Sequence, residues 1–192
     1  MGTARVRSAV IGTGFMGRVH LEALRRLGFV DVVSIAGSHV DKAQTMADAF
    51  GVPHATGDCR AILRDRDVDV VHVCTPNVQH YPMAAAALDA GKHVICEKPL
   101  SMNSDEAADL VNRATARGLR HAHLFHKARK RPLRAVEDVC RKAAAGTRVL
   151  RQDADRHGGF DGLRHMRLLD AVRISHERRG WVDVLDRVEV GD

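Results

Sequence analysis

The stretch "HVICEKPL" at residues 93–100 begins like a buried strand, with Val94, Ile95 and Cys96, and then stops at Glu97, Lys98 and Pro99. An apolar run that ends in two charges and a proline must deliver them to water or to a ligand. An ammonium at Lys98 could polarise a carbonyl or alkoxide and relay a proton. A carboxylate beside it, Glu97, could orient ribose hydroxyls. Taken alone, these residues leave a plain surface ion pair equally open.

A second stretch, "AVIGTGFMGRVH", carries Gly12, Gly14 and Gly17 in the spacing GxGxxG. It follows a strand-like run and opens a helical one, the context in which this spacing binds a dinucleotide. Gly12 would allow the tight turn, Gly14 the approach of backbone to a pyrophosphate, and Gly17 close packing of helix on strand. Thr13, Phe15 and Met16 complete the loop at the helix N-terminus, whose free N–H groups suit a phosphate. A glycine turn with no ligand is the alternative. A carboxylate is expected about 20 positions on to hold the ribose 2′-hydroxyl. Gly37 and Ser38 stand there instead. Without that charge a 2′-phosphate is tolerated, and Ser38, His39 and Lys42 could contact it or be ordinary loop residues. No arginine sits in the loop, so NADP leads NAD only slightly. A third stretch, "CTPNVQH", ends another apolar run in the polar turn Thr75, Pro76, Asn77, with His80 one helical turn on. Its location favours cofactor contact, while a helix cap at Asn77 and a surface position for His80 are the alternatives.

The elements that must position these residues alternate. Strand-like runs at 6–12, 30–37, 68–76 and 93–99 are separated by helical patterns at 14–28, 40–51 and 78–91, with weaker signals at "PHAT" and "CRAILRD". The first helix places Val19, Leu21, Leu24 and Leu27 near a 3.6 period, with Gly28 as its stop. Gly51 and Gly91 close the next two. Asn103 and Glu106 form a capping box for a helix over 104–117, and "LRHAHLF" at 119–125 offers a sixth strand. Alternation of this kind predicts parallel βαβ units, and near-continuous Val/Ile runs fit strands buried on both faces. The fold expected is α/β, a Rossmann-like doubly wound parallel sheet over residues 1–126, whose strand ends line the ligand crevice. Beyond 126 the rhythm fails. One amphipathic helix, "RPLRAVEDVCRKAAAG", carries Leu133, Val136, Cys140 and Ala143 on one face. The rest of 127–192 reads as a short, mostly helical or poorly ordered tail.

Composition narrows the partners. The first 120 residues hold 14 Lys+Arg against 13 Asp+Glu, and the remaining 72 hold 16 against 11. The basicity therefore belongs to the tail, scattered among acids and without interleaved aromatics, which argues against nucleic acid. No apolar run is long enough to span a membrane. The first residues lack a secretory signal, and Cys59, Cys74, Cys96 and Cys140 form no CxxC pair, so a reduced, cytoplasmic setting is expected. Oligomeric state is not specified by these features.

GTGFMG, TPNVQH and CEKP occur in order, joined by βα units of matching length. Over roughly residues 5–125 the chain resembles the N-terminal domain of the Gfo/Idh/MocA oxidoreductases, with CEKP the most diagnostic part. The resemblance implies an NAD(P)-dependent enzyme passing hydride between nicotinamide and a secondary alcohol of a sugar or cyclitol. It puts Lys98 between nicotinamide and substrate, Glu97 at the nicotinamide end, and a cis bond before Pro99. Family members continue into a substrate domain in which an aspartate and a histidine four residues apart complete the site. Asp161 and His165 have that spacing, with His165 as acid/base, although Gly162 interrupts the helix between them. On this reading 127–192 is a shortened substrate-domain remnant, with impaired activity, or a segment that has lost its reading frame. A dinucleotide-binding fragment without catalysis is the alternative.

Overall fold

The structure, a computed structural model, describes residues 5–119, 121–123, 140, 141 and 166. Its strands are β1 (Val6–Ile11), β2 (Val30–Ala36), β3 (His54–Thr56), β4 (Val70–Val73), β5 (His93–Cys96) and β6 (His121–His123). Between them run α1 (Phe15–Arg25), α2 (Val40–Phe50), α3 (Cys59–Arg64), α4 (His80–Asp89) and α5 (Ser104–Ala116), with a 3-10 turn at Asn77–Gln79 ahead of α4. The six strands are parallel and ordered β3-β2-β1-β4-β5-β6. That is the doubly wound Rossmann order, with its switch point between β1 and β4.

Side-chain alternation along the strands builds two cores. Ala9, Ile11, Val71, Val73, Val94 and Cys96 join Ala84, Leu88, Leu110 and Val111 of α4 and α5. Val10, Ile35, Val70 and Ile95 join Leu21, Leu24, Ala43 and Met46 of α1 and α2. Both faces are covered, which is why the strands are continuous apolar runs and not alternating ones. Each fully buried leucine contributes roughly 1.5–3 kcal/mol. Met166 is buried in the first core and Cys140 in the second. The buried thiols of Cys74, Cys96 and Cys140 are pushed up by loss of solvent, Cys140 to about 12, so they act as small apolar side chains.

Several local expectations need correction. On α1 the buried residues are Gly17, His20, Leu21 and Leu24, whereas Val19 faces solvent. The helix stops at Arg25 with an α-type cap at Arg26, and Gly28 lies in the following turn without a left-handed conformation. Gly51 does cap α2 in the left-handed region, and Gly91 has the same backbone sign just after α4. The Asn103 side chain accepts from Glu106 N–H at 2.9 Å, but the Glu106 carboxylate reaches Met102 N–H, one residue before the cap.

Candidate functional site

The sheet ladder continues past the strand ends and holds the loops in register. Gly12 N–H donates to Ala36 O, Cys74 N–H to Ile11 O, and Glu97 N–H to Val73 O, at 2.8, 2.8 and 3.0 Å. Above these ends lies a crevice of about 920 Å³. Gly12, Thr13, Gly14, Phe15, Met16, Ser38, Thr75, Pro76, Asn77, His80, Glu97 and Lys98 all line it. The Lys98–Pro99 peptide is cis, as the resemblance implied. Cys59, Gln79 and Met83 also line the crevice. Gln79 belongs to the TPNVQH motif without having been singled out, whereas Cys59 and Met83 lie outside all three motifs. His165 and Asp161 lie outside the described residues.

The three glycines divide their work. Gly12 has φ +122°, and a Cβ there would overlap the Cys74 carbonyl. A Cβ on Gly17 would overlap the Gly12 carbonyl, so Gly17 is buried under the loop and closes it on α1. A Cβ on Gly14 would meet nothing within 4 Å. The fold needs the first and third glycines, while the space over Gly14 is open to a ligand. Gly14 caps α1 without a side-chain hydrogen bond. The first-turn N–H groups thus face the crevice without a side-chain acceptor, as an anion site requires. Thr75 lines the crevice, and its Oγ1 is buried with no hydrogen-bond partner among the described residues. At the tip of β2, Gly37 and Ser38 present no carboxylate. Among the described lining residues, Glu97 is the one acid and Lys98 the one ammonium. These features fit a dinucleotide.

Lys98 is exposed at the mouth, and Glu97 is buried just behind it. Glu97 Oε2 accepts from the Lys98 backbone N–H at 3.2 Å. Glu97 Oε1 lies 3.0 Å from His20 Nε2, and His20 Nδ1 lies 2.9 Å from His72 Nδ1. Burial, and secondarily the neighbouring His20, hold the His72 imidazole well below its ordinary value of 6.5. The helical period of α1 concealed His20, but a histidine inside the continuous strand "VDVVHVCTP" was a visible signal. His80 is buried and not on the surface. Its ring spans the site's rear wall, with Nδ1 2.6 Å from Pro99 O and Nε2 2.9 Å from Thr75 O, and so ties the β4 and β5 tips together.

Residues 6–125 match the family model described as "Oxidoreductase family, NAD-binding Rossmann fold", GFO_IDH_MocA. The D-glucoside 3-dehydrogenase of Escherichia coli K12 is 34% identical over 127 residues, covering 66% of this chain and 36% of the relative. A levoglucosan dehydrogenase solved with NADH and levoglucosan superposes with TM-score 0.60 and 32% identity, covering 62% of this chain and 34% of that one. A 3-ketoreductase from Actinomadura kijaniata, solved with TDP-benzene and NADP, gives TM-score 0.63 and 33% identity over 70% of this chain and 42% of that one. The chain spans about a third of the length of the curated relatives it matches. Among the described residues no helix is long and apolar enough to cross a membrane. With the parallel sheet, the glycine loop and the CEKP tip all in one matched unit, the chain belongs to the Gfo/Idh/MocA family of oxidoreductases.

Proposed function

We propose that this chain binds a nicotinamide dinucleotide and serves hydride transfer at a secondary alcohol carbon of a sugar or cyclitol. The observation that carries this reading is one crevice with a ligand-ready glycine loop at one end and an exposed lysine at another strand tip. Bound there, the nicotinamide supplies a two-electron hydride acceptor or donor. Gly12 to Gly17 and the start of α1 would hold the pyrophosphate, and Thr75 to Asn77 the adjoining part of the cofactor. Glu97 would set the nicotinamide end. Lys98 would hold the reacting oxygen and move its proton, an ammonium stabilising a developing alkoxide. In the same reading residues 1–126 are the cofactor unit and 127–192 lie on the substrate side, with His165 as acid/base beside Asp161. The absence of a carboxylate at Gly37-Ser38 supports NADP at least as well as NAD.

A dinucleotide-binding module without turnover is the second reading. It is favoured by the exposure of Lys98, since a proton-transfer group gains most from an enclosed substrate. Calorimetry with NADH and NADPH, followed by turnover of a polyol panel by the parent and Lys98→Met, separates the two. Turnover lost in Lys98→Met with cofactor affinity retained supports the enzyme. Binding with no turnover in the parent supports the module, and failure to bind either cofactor overturns both.

A further inference from the structure

His20, His72 and Glu97 come from α1, β4 and the end of β5, and they are 3%, 0% and 4% exposed. The two imidazoles meet edge to face, with their Nδ1 atoms 2.9 Å apart. One of these nitrogens must donate and the other accept. We propose that His20 and His72 are positioning residues for Glu97, with His72 Nδ1–H donating to His20 Nδ1 and His20 Nε2–H donating to Glu97 Oε1. This polarity gives the carboxylate a donor and leaves His72 Nε2, which has no partner among the described residues, as a bare lone pair. The opposite polarity points the His20 Nε2 lone pair at a carboxylate oxygen, so that Glu97 must be protonated. It also buries a His72 N–H with nothing to accept it. A doubly protonated His20 leaves the same orphan N–H. Buried unpaired donors are rarer than under-used acceptors.

The chain of rings ends blind in the core, because His72 is fully buried and its far nitrogen has no partner among the described residues. It is therefore not a route for protons to solvent. Its effect is geometric. One Glu97 oxygen is fixed by α1, and the other is turned to the Lys98 backbone N–H. His20 sits three residues beyond Gly17 on the helix that the glycine loop opens. The phosphate end and the lysine end of the crevice are thus tied through the protein interior.

The functional half of this inference rests on the dinucleotide reading above, whereas the proton placement does not. Long-range nitrogen–proton NMR of 15N-labelled parent should place protons on His72 Nδ1 and His20 Nε2, and the reverse polarity overturns the proposal. By calorimetry with NADH, His20→Leu and Glu97→Gln should each weaken binding about tenfold, and the double variant should be no weaker than either. Losses that multiply in the double variant show that His20 does not act through Glu97, and they overturn the positioning role. His20→Gln, whose amide can donate to Glu97, should stay within about threefold of the parent. Loss as large as in His20→Leu would also count against it. If His20→Leu does not fold, the NMR result and His20→Gln decide. If the parent binds neither NADH nor NADPH, the dinucleotide reading fails, and proton placement alone decides this one.

Discussion

The two ends of the crevice are built on opposite plans. At the glycine loop the crevice wall is bare backbone, left open by missing side chains. At the CEKP tip the site consists of side chains, with two buried histidines and a carboxylate from three separate elements. A loop defined by absent Cβ atoms depends on positions close in sequence. A tip defined by a side-chain network depends on residues 52 and 77 positions apart, which only the folded sheet brings together.

The contrast can be broken first at Gly17. Gly17→Ala would force a Cβ into the Gly12 carbonyl, and we expect about 3 kcal/mol of lost stability together with loss of cofactor binding. Urea unfolding checks it, and a change under about 1 kcal/mol would mean that the loop can relax. Gly14→Val sharpens the comparison, because its side chain meets only open space. Stability should stay within about 1 kcal/mol of the parent while NADH affinity falls at least tenfold, or about 1.4 kcal/mol. Undiminished affinity in calorimetry would move the pyrophosphate elsewhere.

At the other end the test is pH. The His72 imidazole is held well below 6.5, first by burial and then by His20. Below pH 6.5 the unfolded chain takes up a proton that the folded chain refuses, so stability falls as pH falls. His72 should contribute a slope approaching 1.4 kcal/mol per pH unit below that point. His72→Leu should be flatter than the parent by that amount between pH 6.5 and 5. Parallel curves for the two proteins would show that His72 is not kept uncharged by the fold. The smallest expected effect is at Ser38, where NADPH should bind at least as well as NADH. A tenfold preference for NADH, about 1.4 kcal/mol, would reverse that reading.

The sequence made the first plan legible and hid much of the second. GxGxxG after a strand is a local pattern, and its geometry was found where the spacing put it. The βα alternation likewise forecast the parallel sheet, because strand period and helix stops are local. Even the short β3 and α3 left faint signals. Val19 and His20 show where such reasoning stops. Hydrophobic periodicity counts valine as inside and histidine as outside, but the face of α1 is chosen by the sheet beneath it. That face needs a donor for Glu97. For His80 the alternative of a surface position falls for a related reason: its burial depends on two carbonyls, of Thr75 and Pro99, that the fold brings to one ring.

The strand order has a consequence for how the chain acquires its shape during synthesis. β1 lies at the centre of the sheet, between β2 and β4. Its second neighbour arrives late: the Arg7 N–H bond to the Asp69 carboxylate, 2.8 Å long, spans 62 positions. Until that segment is made, the edge of β1 that β4 covers in the finished sheet has no strand to pair with. Loop closure over such distances is slow, and exposed parallel edges invite association with other nascent chains. The strand that carries the glycine loop is therefore the first of the six to be made, and it is covered on both sides only after β2, β3 and β4 and the helices between them have followed.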